Sequence, residues 1–159
     1  MHELQGSTRA AGYRFAIAVS RFNPDITDGL LAGARDALAQ AGVGDDDVTL
    51  VRVPGAFELP VAAQRLAESG RFDAVICLGC LIKGDTMHFE YIADAATRGI
   101  SDVGLATGVP IAFGVLTTLT DEQAEVRARP GDGNKGREAA LAAVEMATLL
   151  RAIDGGPAV

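Results

Sequence analysis

The chain of 159 residues has two histidines, and one of them, His88, sits where chemistry can use it. It closes the run Lys83-Gly84-Asp85-Thr86-Met87-His88, which follows the near-continuous apolar segment Ala74–Ile82 (AVICLGCLI). An apolar strand that ends in Lys-Gly-Asp-Thr and gives way at once to a helix is a phosphate-binding pattern. The free N–H groups of a helix N-terminus attract an anion. Gly84 leaves the backbone open to close approach. The Thr86 hydroxyl can donate to a phosphate oxygen or cap the helix, and Lys83 adds charge or simply points to water. From the first helical turn His88 would reach a phosphate held there, and histidine suits proton transfer near neutral pH. The run is not a Walker A loop, which needs Gly-x-x-x-x-Gly-Lys-Ser/Thr.

Four other places could contribute. Phe22-Asn23-Pro24 follows the apolar run Phe15–Ser20. Phe22 is either a platform for a planar ligand, with Asn23 as a polar contact, or a loop anchor with Asn23 starting a turn. Pro54-Gly55 makes a tight turn before Ala56-Phe57-Glu58, and Glu58 in a first helical turn serves either a ligand or the helix dipole. Arg127, Arg129 and Lys135 cluster in a Gly/Pro-rich stretch, either as a solvated loop or as a cationic clamp. Phe113, inside the apolar run PIAFGVL, reads as core by its pattern.

These residues need elements to place them. Strands are expected at Phe15–Ser20, Val48–Val53, Ala74–Ile82 and Pro110–Leu116. Helices are expected at Asp25–Ala41, Phe57–Ser69, His88–Gly99, Asp121–Arg127 and Gly136–Ile153, with Thr120 or Asp121 capping the fourth. Such alternation implies a parallel sheet with helices on both faces, and such sheets bind ligands beyond the carboxyl ends of their strands. Every segment singled out follows a strand.

The bulk numbers exclude several classes. A net charge of −7 argues against nucleic-acid binding. No apolar run reaches the ~18–20 residues of a membrane span. The N-terminus MHELQGSTRAAGYR lacks the apolar core of a signal peptide, so a cytoplasmic location is expected. Cys77 and Cys80, three apart on one strand, point to opposite faces, and no second ligand pair accompanies them. Buried structural cysteines are therefore expected, with no disulfide and no metal. Apolar residues make up 48% and mean hydropathy is +0.21, more than one such domain hides alone; subunit interfaces should take the excess.

Taken together, five blocks resemble the lumazine synthase family. They are Ser-Arg-Phe-Asn at 20–23, Pro-Gly-Ala-Phe-Glu-Leu-Pro at 54–60, Gly-Cys-Leu-Ile-Lys-Gly-Asp-Thr-Met-His-Phe-Glu-Tyr at 79–91, Pro-Ile-Ala-Phe-Gly-Val-Leu-Thr-Thr at 110–118 and Gly-Asn-Lys-Gly at 133–136. The resemblance spans about Tyr13 to Ile153. It implies a flavodoxin-like three-layer α/β/α fold with a four-stranded parallel sheet, a lumazine synthase domain over 13–154, an N-terminal arm over 1–12 and a disordered tail over 155–159. The implied activity joins 5-amino-6-(D-ribitylamino)uracil to 3,4-dihydroxy-2-butanone 4-phosphate, with no cofactor.

The implied roles follow the blocks. Phe22 would stack on the pyrimidine; Asn23, Ala56, Phe57 and Glu58 would contact the ring and ribityl chain; Cys80, Leu81 and Ile82 would line the pocket through their backbone. Gly84, Asp85 and Thr86 would hold the phosphate, and His88 would transfer protons. Phe113, Arg127 and Lys135 would come from a neighbouring subunit, with Phe113 and Lys135 on the pyrimidine and ribityl substrate and Arg127 on the phosphate. The implied partners are small-molecule substrates, further copies in pentamers, and riboflavin synthase. The short connection from Arg129 to Gly136 resembles members that close into a sixty-subunit shell. The sequence departs from the family pattern at Lys83, where arginine is usual, at Met87, where proline is usual, at Cys80, and in Arg129-Pro130-Gly131-Asp132. The rival readings are a paralogue that binds a flavin or lumazine without making it or a mainly structural shell protein, and a flavodoxin-like electron carrier. The first would show altered Phe22, Glu58, His88 or Arg127, and the second a hydroxyl-rich loop after the first strand.

Overall fold

Strands β1 (Phe15–Ser20), β2 (Val48–Val53), β3 (Ala74–Ile82) and β4 (Ile111–Thr118) form one sheet in the order β2-β1-β3-β4. Every pairing is parallel. The structure is a computed structural model that describes residues 1–156. Between the strands run α1 (Pro24–Gln40), α2 (Leu59–Glu68), α3 (His88–Thr107), α4 (Asp121–Ala128) and α5 (Lys135–Ile153).

The two central strands explain the layering. Side chains alternate along a strand, so one that is buried on both faces must be apolar throughout. Phe15, Ile17, Val19, Ile76, Leu78 and Cys80 join the core beneath α1 and α5. Ala16, Ala18, Val75 and Cys77 join the core beneath α2 and α3. Both cores are closed, giving the three-layer, flavodoxin-like α/β/α arrangement. Full burial of a side chain such as Ile76 or Leu78 contributes ~1.5–3 kcal/mol. The two cysteines fall on opposite faces and both are free thiols.

The chain order places the site. From β1 the sheet grows toward β2 on one side and toward β3 and β4 on the other. The reversal opens a crevice at the carboxyl ends of β1 and β3, the usual ligand position of such sheets. Residues 21–23 and 83–88 follow those two strand ends.

Three elements differ from expectation. Helix α3 runs to Thr107 rather than Gly99 and ends at Gly108, which has φ 70°. Gly99 does not stop the helix but lets α2 approach, since a Cβ there would lie 2.7 Å from Pro60. Strand β4 extends to Thr118, because Thr117 and Thr118 pair with Leu81 and Ile82. Residues 56–58 form a separate 3-10 turn before α2. At the far end, Gly155 and Gly156 return hydrogen bonds to Ala152 and Arg151, and the rest of the expected tail, 157–159, lies outside the described residues.

Large apolar side chains remain on the surface, among them Phe57, Val61, Tyr91, Leu105, Leu119 and Val126. No described helix is long and apolar enough to cross a membrane.

Candidate active site

A cavity of about 490 Å³ opens in the crevice beyond β1 and β3. Its floor is the end of β3, Cys80 to Ile82, and its walls come from the segments after β1, β2 and β3. Asn23 ties two of these together. Its side-chain amide donates to the Cys80 carbonyl at 3.0 Å, across 57 residues of sequence. Asn23 also holds φ 57°, the only described non-glycine residue in left-handed backbone. Asparagine tolerates that conformation better than most residues. The kink turns the chain into α1, where Pro24 can begin the helix because the N–H it lacks would have no intrahelical partner there. Phe22, just before the kink, is 69% exposed and lines the cavity. Within the chain Phe22 is not buried, while Asn23 does start the turn into α1.

Glu58 is half-buried, and its Oε2 accepts the Gly55 N–H at 2.9 Å. The carboxylate therefore folds the turn after β2 back on itself. That fixes Ala56, Phe57 and Glu58 along the cavity wall.

The segment after β3 stands open. Gly84 through His88 are exposed, and nothing lies within 4 Å of where a Cβ on Gly84 would be. Met87, not Thr86, is the N-cap of α3, and no side chain caps the helix. The N–H groups of His88 and Phe89, the first two of the helix, are therefore free to meet an anion. Gly84, Thr86 and His88 all line the cavity, whereas Asp85 does not. Lys83 bonds Glu90 at 2.7 Å, spanning the turn. That contact, together with Glu90's own backbone N–H, holds the Glu90 carboxyl below the usual carboxylate range.

Phe113, Arg127 and Lys135 line a different cavity, of about 320 Å³, along β4 between α4 and α5. Phe113 is 44% exposed, which corrects the core reading of its pattern: on an edge strand the outward residue has no neighbouring strand or helix to cover it. Arg127 donates Nη1 to the Gln123 carbonyl at 2.9 Å and forms no ion pair among the described residues. Lys135 pairs with Glu138 at 2.6 Å.

Both cysteine thiols are held above the usual thiol range. Burial pushes the Cys77 thiol up to about 12. Burial, with a smaller contribution from the Asp121 carboxylate, pushes Cys80 up to about 11. What Cys80 offers the cavity is its backbone. Among the described residues no group of three or more His, Cys, Asp or Glu side chains is placed to hold a metal ion.

Over residues 12–151 the sequence matches the family described as 6,7-dimethyl-8-ribityllumazine synthase. A relative of that name from Syntrophus aciditrophicus (strain SB) is 56% identical over 149 residues, covering 94% of this chain and 97% of its own length. The chain belongs to the 6,7-dimethyl-8-ribityllumazine synthase family.

For a lumazine synthase, the structure divides the expected site residues into two sets. Phe22, Asn23, Ala56, Phe57, Glu58, Cys80, Leu81, Ile82, Gly84, Thr86 and His88 meet in the first cavity. Phe113, Arg127 and Lys135 meet in the second. Two lining residues escaped the sequence reading, Phe89 and Ile92. Ile92 lies four residues beyond His88, on the same helical face, and that spacing was a usable signal. Phe89 had no such signal, because it is half-buried beside an exposed neighbour.

Proposed function

We propose that the lumazine synthase reaction of this chain runs at a site completed by two copies of it. The chain condenses 5-amino-6-(D-ribitylamino)uracil with 3,4-dihydroxy-2-butanone 4-phosphate to 6,7-dimethyl-8-ribityllumazine, a transferase-class step in riboflavin biosynthesis. The observation that carries the two-copy reading is the division itself: Arg127, Lys135 and Phe113 line a cavity that His88 does not share.

In this reading Phe22 stacks on the pyrimidine, and the backbone of Cys80–Ile82 reads the ring edge. Asn23 and Ala56–Glu58 flank the ring and the ribityl chain. Gly84, Thr86 and the open N–H groups of α3 take the phosphate, joined by Arg127 of the adjoining copy. Asp85 takes part through its backbone N–H, since its carboxylate would repel a phosphate. The ring amine attacks the ketone, and water leaves to give an imine. Phosphate is then eliminated, and the ribitylamino nitrogen closes the ring with loss of a second water. His88, as imidazolium, gives a proton to the departing hydroxyl; as neutral imidazole it accepts the proton freed when phosphate leaves. Orientation of two reactants in one pocket is worth ~7–11 kcal/mol in the best intramolecular cases.

The exposed apolar residues support an assembly of pentamers, and the short 129–134 connection favours their closure into a shell. Light scattering checks this, and a mass of a single pentamer would refute the shell. A cytoplasmic location and riboflavin synthase as a partner belong to the same reading.

Complementation tests the shared site. Protomers carrying His88→Ala and protomers carrying Arg127→Ala are co-expressed at equal levels, and lumazine fluorescence is followed with both substrates. In random rings about one interface in four joins two intact halves, so about a quarter of wild-type activity should return. No gain over either variant alone would place the whole site within one chain.

A further inference from the structure

We propose that Asn134 is the positioning residue that sets the Arg127–Lys135 pair for the butanone phosphate. The proposal rests on the reading that Arg127 meets that phosphate. Arg127 lies in the last turn of α4 and Lys135 begins α5, and the intervening loop carries Pro130, Gly131 and Gly133. A loop of that composition does not hold two cations at a fixed separation by itself.

Asn134 is 1% exposed and spends its whole side chain on this loop. Its Nδ2 donates to the carbonyls of Ala128 at 2.9 Å and Arg129 at 3.1 Å, the two residues that follow Arg127. A third contact, at 3.0 Å, reaches the Gly29 carbonyl on α1, across 105 residues of sequence. Its Oδ1 accepts the Arg137 N–H at 3.0 Å and so caps α5, the helix that Lys135 begins. The amide can point only one way: three carbonyls demand a donor on one side, and a backbone N–H demands an acceptor on the other. One side chain thus fastens the end of α4, the start of α5 and the middle of α1.

Helix α1 is shaped to receive it. A Cβ on Gly33 would collide with the Asn134 amide, and a Cβ on Gly29 would lie 2.6 Å from the Ala128 carbonyl. The α1 face that contacts the loop is bare where the loop must come close. Nothing about Asn134 touches either cavity lined by the candidate site residues. Its effect must pass through Arg127 and Lys135.

The test separates donors from cap. Asn134→Asp and Asn134→Ser both keep an oxygen that can cap α5, and both lose the contacts from Nδ2. Each variant is assayed as the assembled protein with both substrates, alone and combined with Arg127→Ala. The expected result is a KM for the butanone phosphate raised about tenfold or more, a KM for the pyrimidine within about twofold of wild type, and little change in kcat. In the Arg127→Ala background the further rise should fall below about twofold, because Arg127, the one of the two cations read as meeting the phosphate, is gone. Loss of assembly in both variants, or a fall in kcat with both KM values unchanged, would make Asn134 a plain structural pin and overturn the proposal. So would equal effects with and without Arg127. If Arg127→Ala alone left the KM unchanged, the phosphate role of Arg127 would fall instead, and the two failures are distinct.

Discussion

Within the two cavities, the segments expected to meet the phosphate are held by opposite means. Around the first, Gly84 to His88 stand exposed, α3 has no side-chain cap, and one surface ion pair spans the turn. Around the second, the chain between Arg127 and Lys135 is fastened from inside by Asn134 and seated against glycines of α1. Open N–H groups in the first are contacts that a bound anion completes. Long cations lose rotamer freedom whenever they bind. Fixing the backbone beneath Arg127 and Lys135 in advance removes the backbone's share of the ordering cost, which would matter for the clamp proposed to reach another copy's ligand.

The strongest way to break this comparison is Arg127→Ala. Losing a charge-assisted pair to phosphate costs ~1.5–3 kcal/mol, so kcat/KM for the butanone phosphate should fall up to about a hundredfold. Steady-state kinetics with each substrate varied in turn would show it, and a loss confined to the pyrimidine would detach the second cavity from the phosphate.

Next comes Gly136→Ala. Its Cβ would land on the Leu30 backbone, which cannot swing aside, and overpacking of this kind costs ~1–3 kcal/mol. Gly84→Ala meets open space and should change stability by less than ~0.5 kcal/mol. Denaturant midpoints of the two variants compare the two regions directly, and equal midpoints would erase the contrast.

His88→Ala should lower kcat about tenfold and leave both KM values near wild type, below the usual range for a general acid–base because amine and ketone already react. A pH–rate profile that keeps its shape in this variant would take the proton-transfer role from His88.

The smallest effect concerns the ion pair over the first turn. Glu90 has a carboxyl held low by Lys83, so the folded state binds its proton less tightly than the unfolded chain does. The pair's contribution is then fully present above the unfolded value, and it is lost as pH falls below about 4.5. Thermal melts of wild type and Glu90→Gln should differ slightly near neutrality and converge in acid. Divergence in acid would show that the pair does not steady the turn.

Much of this was legible beforehand, for identifiable reasons. β1 and β3 have the bounds that their apolar runs announce, because a doubly covered strand admits few polar residues, and the edge strand β2 also has its expected bounds although only Val53 in it is buried. The Lys83–His88 segment was readable because a glycine-bearing turn between strand and helix has a local signature. The true length of α3 was not. Gly99 looks like a stop, and only the approach of Pro60 makes it a mid-helix residue. Phe113 misled for a related reason: its pattern says apolar, and only its place on an edge strand leaves it exposed.

The sequence by itself determined the strands, the order of the elements, the phosphate-type turn and the family, since each depends on residue types at short range or in ordered blocks. Tertiary structure alone decided how those residues are shared between two cavities, and that Asn134 and Asn23 use their amides inside the protein. Those outcomes depend on hydrogen bonds between carbonyls and side chains 57 and 105 residues apart. Local pattern carries no record of such distances; packing of the layers sets them.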